Sequence, residues 1–142
     1  MNRTRWILVT FALPWLAVCA FAGCGDSRDT VQVSGRVHYK GGAPLDGAAR
    51  FIRFQPTDES PAKIRKAASA EIAPDGTFEL YTRKPGDGVF PGRYAVNFTV
   101  FTSYTNGKSL IDPKYESAET TPYIVDVTED MSDLVYELEK RM

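Results

Sequence analysis

The chain has 142 residues, enough for a single domain of ordinary size. Its formal net charge is −1, and Lys and Arg form no basic block, which argues against a nucleic-acid partner. One histidine and two cysteines are too few ligands for a His-rich zinc or non-haem iron site. We therefore expect a protein without a metal or other cofactor.

The N-terminal segment differs from the rest of the chain. Arg3 and Arg5 precede an uncharged run, Ile7–Ala22, which has 16 residues and contains Pro14. A membrane-spanning helix needs about 20 predominantly apolar residues, so this run is short for a transmembrane anchor. A basic region followed by a short apolar region is typical of an export signal. We interpret residues 1–23 as a signal peptide that is removed.

A cysteine stands at the end of this segment. Phe21-Ala22-Gly23-Cys24 resembles a lipobox, in which small residues precede a Cys that receives a diacylglycerol, although Phe21 stands where Leu is usual. Cleavage by ordinary signal peptidase after Ala22 is the alternative. No cysteine follows Cys24, so a disulfide within the mature chain is excluded. We expect lipidation of Cys24, a tether over residues 24–30, and export to the periplasmic or cell-surface side of a bacterial envelope.

The chain after Gly23 has the pattern of an all-β domain. It contains all 18 acidic and 15 of the 17 basic residues, so its formal charge is about −3. Short segments alternate between apolar and polar residues, as half-buried strands do. The first is Val31–Tyr39. The second, Ala48–Gln55, departs from the alternation in a way that a bulge would explain.

Turn signals divide the rest of the domain. Strands over Ile64–Ala73 and around Phe78 and Leu80 flank Pro74-Asp75-Gly76, which predicts a hairpin. Arg93–Phe101 alternates without a break, and a long loop, Thr102–Thr121, follows. Two further strands are predicted over 123–127 and 134–138. Seven strands without a helix predict a seven-stranded antiparallel β-sandwich over residues 31–142.

Several of these segments together resemble carboxypeptidase regulatory-like domains, which share a transthyretin-like, prealbumin-type sandwich. The segments are Val33-Ser34-Gly35-Arg36-Val37, Leu45-Asp46-Gly47-Ala48, Asp75-Gly76-Thr77-Phe78-Glu79-Leu80 and Lys84–Tyr94. The last is similar to a segment of short planctomycete lipoproteins. The resemblance extends over about residues 31–140. It implies the fold and the envelope location, and it implies no particular activity.

The candidate catalytic residues are few. His38 is the only histidine, and the alternation places it on the outward face, where we expect it to be exposed. No G-x-S-x-G sequence surrounds a serine, so a hydrolytic triad with Ser34 is not predicted. Acidic residues that could bind Ca²⁺ lack the spacing of a calcium loop, so we expect solvated turn residues. They are Asp58, Glu59, Asp87, Glu129, Asp130 and Asp133. We predict no catalytic residue and no enzymatic activity.

Tyrosines are the remaining candidates for a binding site. Tyr104 and Tyr115 lie in the long loop and are candidate contacts for a ligand, because their rings offer stacking surface. Two functions follow as hypotheses. The first is a non-enzymatic envelope lipoprotein, attached to the membrane at Cys24, with a structural or protein-docking role. The alternative is an accessory domain that binds a glycan or peptide through residues 101–121.

Overall fold

The computed structural model describes residues 29–142. The predicted signal peptide, Cys24 and most of the predicted tether lie outside the described residues. Within the described part the protein is all-β, and none of its helices could cross a membrane, since the single helical element is a three-residue 3₁₀ turn. The elements are β1 (Val33–Tyr39), β2 (Ala49–Pro56), β3 (Ala68–Glu71), β4 (Thr77–Glu79), β5 (Gly92–Phe101), the 3₁₀ turn (Pro113–Tyr115), β6 (Ile124–Val127) and β7 (Met131–Leu138).

The seven strands form two sheets, and the all-β, sandwich-like architecture predicted from the sequence is confirmed. One sheet has four strands in the order β3-β2-β5-β6, and the other has three in the order β4-β1-β7. The ring of Phe98 on β5 meets that of Tyr136 on β7, with 5.4 Å between ring centroids. The core therefore lies between the sheets, where the inward side chains of both sheets are buried.

Strand β5 shows why the alternation is informative. Tyr94, Val96, Phe98 and Val100 are each at most 1% exposed. Successive side chains of a strand point to opposite faces, so four apolar residues at every second position form one continuous buried face. The prediction for this strand is confirmed, with Gly92 added at its start.

The pairing of the strands differs from the prediction in two respects. Strands β1 and β7 pair in parallel, from Val33 opposite Met131 to Tyr39 opposite Leu138, so the domain is not wholly antiparallel. Strands β3 and β4 belong to different sheets and form no regular hairpin, because each pairs with a longer neighbour, β2 or β1. Gly76 does have the expected positive φ of 87°, but its turn carries the chain between sheets.

The irregularity expected in β2 lies elsewhere. Strand β2 pairs with β5 in continuous register, and Phe51 points outward while Ile52 and Phe54 are fully buried. The register shifts instead between β1 and β7, next to Gly35. A Cβ atom on Gly35 would lie 2.1 Å from the carbonyl oxygen of Leu134, so only glycine allows the two backbones to approach this closely.

The two ends of the sandwich can be assigned from the strands. Val31 pairs with Val89, and β5 begins three residues later at Gly92, so Asp29 and the start of β5 lie at one end, here named the proximal end. Strand β5 leads from there to Phe101, roughly 30 Å away at about 3.3 Å per residue. The segment Thr102–Thr121 leaves β5 at this opposite, distal end.

Candidate functional site

Tyr104 lies at the distal end and is the more exposed of the two candidate contact residues. Its side chain is 66% exposed, and its ring meets the edge of Phe51 with 6.3 Å between centroids. Its hydroxyl donates a hydrogen bond of 2.9 Å to Oε1 of Glu71. That hydrogen bond raises the pKa of Tyr104, because it stabilises the protonated phenol.

The short loop that carries Tyr104 is held by its own backbone. Thr102 and Lys108 exchange hydrogen bonds of 3.0 Å, and the hydroxyl of Ser103 donates to the carbonyl oxygen of Thr105 at 2.6 Å. Asn106 closes the turn with a φ of 56°, a conformation that asparagine tolerates better than most residues. The loop therefore presents Tyr104 on a hydrogen-bonded turn.

Tyr115 has a different position, and the expectation that it offers an exposed ring is corrected. Its side chain is 3% exposed, because the 3₁₀ turn folds it against the core. The ring stacks on Tyr123 at 5.8 Å and meets the edge of Phe98 at 6.5 Å. Sequence pattern could not separate these two loop tyrosines, because burial of Tyr115 depends on Phe98 of β5 and on Tyr123, which lie elsewhere in the chain.

An ion-pair network fastens the turn around Tyr115 to the C-terminal segment. The ammonium groups of Lys40 and Lys114 both donate to the carboxylate of Glu139. The hydrogen bond from Lys114, and after it that from Lys40, lowers the pKa of Glu139 to about 2. Close by in the chain, Glu116 accepts a hydrogen bond from Ser109 and pairs with Arg141 at 3.7 Å.

His38 is less exposed than expected. Its side chain is 25% exposed, and its Nδ1 lies 2.9 Å from the carbonyl oxygen of Tyr39 and 4.0 Å from Oε1 of Glu137. Glu137 is its parallel neighbour on β7, which explains the partial cover. The imidazole is therefore packed into the β1–β7 pair and does not lie alone on an open face.

Several acidic residues organise turns. Asp87 accepts hydrogen bonds from the backbone N–H groups of Thr82, Arg83 and Lys84 at 2.8–3.1 Å. Burial opposes the charge of Asp87, but these donors keep its pKa below the usual value. Asp130 accepts a 2.8 Å hydrogen bond from the backbone N–H of Gln32. Within residues 29–142, no three His, Cys, Asp or Glu side chains lie close enough together to hold a metal ion.

A cleft at the proximal end was not predicted from the sequence. It has a volume of about 640 Å³, and its apolar wall includes Val31, Ile64, Phe90 and Val127. It is assembled from four segments that are distant in the chain, so no local pattern indicates it. They are residues 29–31, 61–64, 90–92 and 126–128. This cleft and the Tyr104 surface are the two candidate sites on the described domain.

Comparisons with known proteins identify no relative. No protein-family model matches the chain, and neither a curated protein nor a solved structure matches it.

Proposed function

We propose that this protein is an exported, non-enzymatic lipoprotein of the bacterial cell envelope, with a structural or protein-docking role. In this proposal residues 1–23 are removed, and a diacylglyceryl group on Cys24 attaches the domain to the membrane. Two acyl chains are sufficient for stable anchoring, whereas one gives only marginal binding. The observation that carries the proposal is the distance between Asp29, at the proximal end, and the exposed surface of Tyr104 and Phe51 at the distal end.

That separation follows from strand β5. Asp29 and Gly92 line the same proximal cleft, and Tyr104 packs on Phe51, which pairs with Thr99. Thr99 lies seven residue steps beyond Gly92 on β5, roughly 23 Å at 3.3 Å per step. A domain anchored through Cys24 would thus present its exposed aromatic surface on the side away from the membrane, where an envelope partner can reach it.

Several acidic side chains are occupied by hydrogen bonds and ion pairs within the domain, which supports a non-enzymatic role. Glu139 is paired with two lysines, and Asp46 accepts hydrogen bonds from Tyr39 at 2.7 Å and from Lys140 at 3.0 Å. Asp75 accepts hydrogen bonds from the backbone and side chain of Thr77. A general base must be within reach of a substrate proton, and these carboxylates instead hold turns and the C-terminal segment together.

We further propose that the sandwich is of the transthyretin-like, carboxypeptidase regulatory-like type. The segments that carry this resemblance fall on β1, on the turn and strand around Gly76–Glu79, and on the chain leading into β5. These are the places where glycine and the inward apolar residues shape the sheets. The resemblance thus rests on scaffold residues and leaves the ligand undefined.

Mass spectrometry of the mature N-terminus tests the proposed anchoring. We expect a diacylglyceryl-modified chain that begins at Cys24, and we expect Cys24→Ser to move the domain from the membrane to the soluble fraction. Cys19→Ser is the matched control, since Cys19 lies within the segment that is removed and its loss should leave anchoring unchanged. An unmodified chain that begins at Gly23 would contradict the proposal.

A second candidate function is binding of a glycan or peptide through residues 101–121. It is favoured by the exposed, hydrogen-bonded ring of Tyr104 beside Phe51, which is 37% exposed. Aromatic rings of this kind contribute contact area at low entropic cost. Retention of the protein on insoluble cellulose, xylan and chitin tests it. Tyr104→Ala should abolish retention and His38→Ala should not, whereas Tyr115 is a poor test residue because it is buried.

A further inference from the structure

We infer that the free edge of strand β7 binds an extended segment of a partner protein, which joins the three-stranded sheet as a further strand. The free edge is the side of residues 131–137 that faces away from β1, since β7 is the last strand in the order β4-β1-β7. The partner segment carries basic residues two positions before and two positions after an apolar residue. The inference depends neither on the Tyr104 surface nor on the lipidation of Cys24.

Strand β7 is much longer than the other three strands that end a sheet. Strands β3, β4 and β6 have 4, 3 and 4 residues, whereas β7 has 8. In the part of the chain that the structure describes, no strand or isolated bridge pairs with the outer side of residues 131–137. An edge of this length offers a row of backbone groups with which another extended chain can pair.

The backbone hydrogen bonds show which groups of β7 face outward. The backbone N–H of Lys40 donates to the carbonyl oxygen of Leu138 at 2.9 Å, so Leu138 faces β1. Successive residues of a strand direct their N–H and C=O groups to opposite sides, so Glu137 and Val135 face away from β1. The hydroxyl of Tyr123 donates a 2.6 Å hydrogen bond to the carbonyl oxygen of Glu137, in agreement with this direction. The N–H and C=O groups of Val135 therefore point into the free edge.

The side chains along the free edge determine which segment fits it. Asp133, Val135 and Glu137 are all exposed, and Val135 is 58% exposed. Glu137 has only the ring of His38 near it, at 4.0 Å, and the ion pairs within residues 29–142 do not include Asp133. Opposite charges and apolar pairs directly across two strands stabilise their pairing. A segment with a basic, an apolar and a basic residue at alternate positions therefore matches this edge.

The same side chains disfavour a second copy of this chain at the free edge. In an antiparallel pair of two β7 strands centred on Val135, Asp133 of each copy would face Glu137 of the other. Like charges directly opposite one another destabilise a strand pair, and charged edges protect proteins from self-association. The nearby cation Arg36 is the parallel neighbour of Val135 on β1, on the side away from the free edge. The charges thus select a basic partner.

A peptide titration of the processed protein in detergent micelles tests this inference. The probe is the synthetic peptide Lys-Thr-Val-Thr-Lys with blocked ends, which reads the same in both directions and so suits either strand orientation. The control peptide is Glu-Thr-Val-Thr-Glu. We expect the lysine peptide to shift the NMR amide signals of Asp133 and Val135. It should bind about tenfold more tightly than the glutamate peptide, because two attractive charge pairs replace two repulsive ones.

A proline substitution tests whether the backbone of the free edge makes the contact. Val135→Pro removes an N–H that faces the edge and that the ladder to β1 does not use, so it should weaken binding of the lysine peptide about tenfold. Ile124→Pro on the edge strand β6 is the matched control. The carbonyl oxygen of Tyr123 accepts from the N–H of Val96, so the N–H of Ile124 faces away from β5. Unchanged binding by a folded Val135→Pro protein, or equal weakening in both variants, would contradict the inference.

A charge exchange keeps the test decisive if the proline variant does not fold. In the double variant Asp133→Lys/Glu137→Lys we expect the preference to reverse, so that the glutamate peptide binds more tightly. Equal binding of the two peptides to the original protein, an unreversed preference in the double variant, or signal shifts confined to other strands would each overturn the inference. None of these results bears on the lipid at Cys24, which mass spectrometry of the N-terminus measures separately.

Discussion

The segment between β5 and β6 has two halves, of which the first is exposed and the second is largely buried. In the first, residues 102–108, Tyr104 is 66% exposed and the backbone turns on itself. In the second, residues 109–121, Ile111 is fully buried and Tyr115 is 3% exposed. The second half adds to the core because it pairs with the chain beyond β7, as the bridge from Ile111 to Lys140 shows.

This difference shows that loop length alone does not indicate a binding surface. Twenty residues without a regular strand contain one projecting turn and one piece of core. The aromatic cluster of Phe98, Tyr115, Tyr123 and Tyr136 connects the second half to both sheets, with ring centroids 5.0–6.5 Å apart. The contrast between the halves is open to direct tests by substitution.

The largest effect is expected at the centre of that cluster. Phe98 is 1% exposed and contacts three tyrosine rings, so Phe98→Ala should reduce the free energy of unfolding by about 3–5 kcal/mol. Urea denaturation followed by circular dichroism measures this. A loss below about 1 kcal/mol would place Phe98 outside the core and contradict the register of β5.

The comparison of the two loop tyrosines comes next. Tyr115→Ala should reduce the free energy of unfolding by about 3 kcal/mol, because it removes a buried ring from the cluster. Tyr104→Ala is the matched control and should change it by about 0.5 kcal/mol or less, as exposed positions usually do. Equal effects in urea denaturation would mean that the two halves of the segment are not distinct.

A smaller effect of opposite sign is expected at Tyr136. Among the described residues its hydroxyl is buried without a hydrogen-bond partner, and burial raises its pKa. An unpaired buried polar group is costly, so Tyr136→Phe should increase the free energy of unfolding by about 1 kcal/mol. Thermal unfolding provides the measurement. A decrease would show that the hydroxyl has a bound water or another partner.

The smallest effect is the pH dependence of the stability that Glu139 contributes through its ion pairs with Lys40 and Lys114. Its lysine partners lower the pKa of Glu139 from 4.5 to about 2, so the folded state binds this proton less readily than the unfolded state. The contribution of Glu139 is therefore present above about pH 4.5 and is lost as the pH falls towards 2. Glu139→Gln should flatten this part of the stability profile, measured by urea denaturation between pH 2 and pH 7. A profile unchanged by the substitution would show that the exposed pairs contribute nothing.

The sequence by itself determined approximately where the seven strands lie and, for β5, which side chains face inward. Tyr94, Val96, Phe98 and Val100 are buried as their spacing predicts, because strand alternation is a local property of the backbone. The resemblance to an export signal and a lipobox is likewise a matter of local order in the chain. Both kinds of information need no knowledge of distant contacts.

Only the tertiary structure decided the parallel pairing of β1 with β7, the separation of β3 from β4, the burial of Tyr115 and the proximal cleft. Each depends on segments that are far apart in the chain. Tyr115 is covered by Tyr123 and Phe98, and Val31, Ile64 and Val127 line one cleft that exists only after folding. Local propensity does not describe contacts between distant segments. The burial of a loop residue depends on which other surfaces of the folded sandwich pack against it.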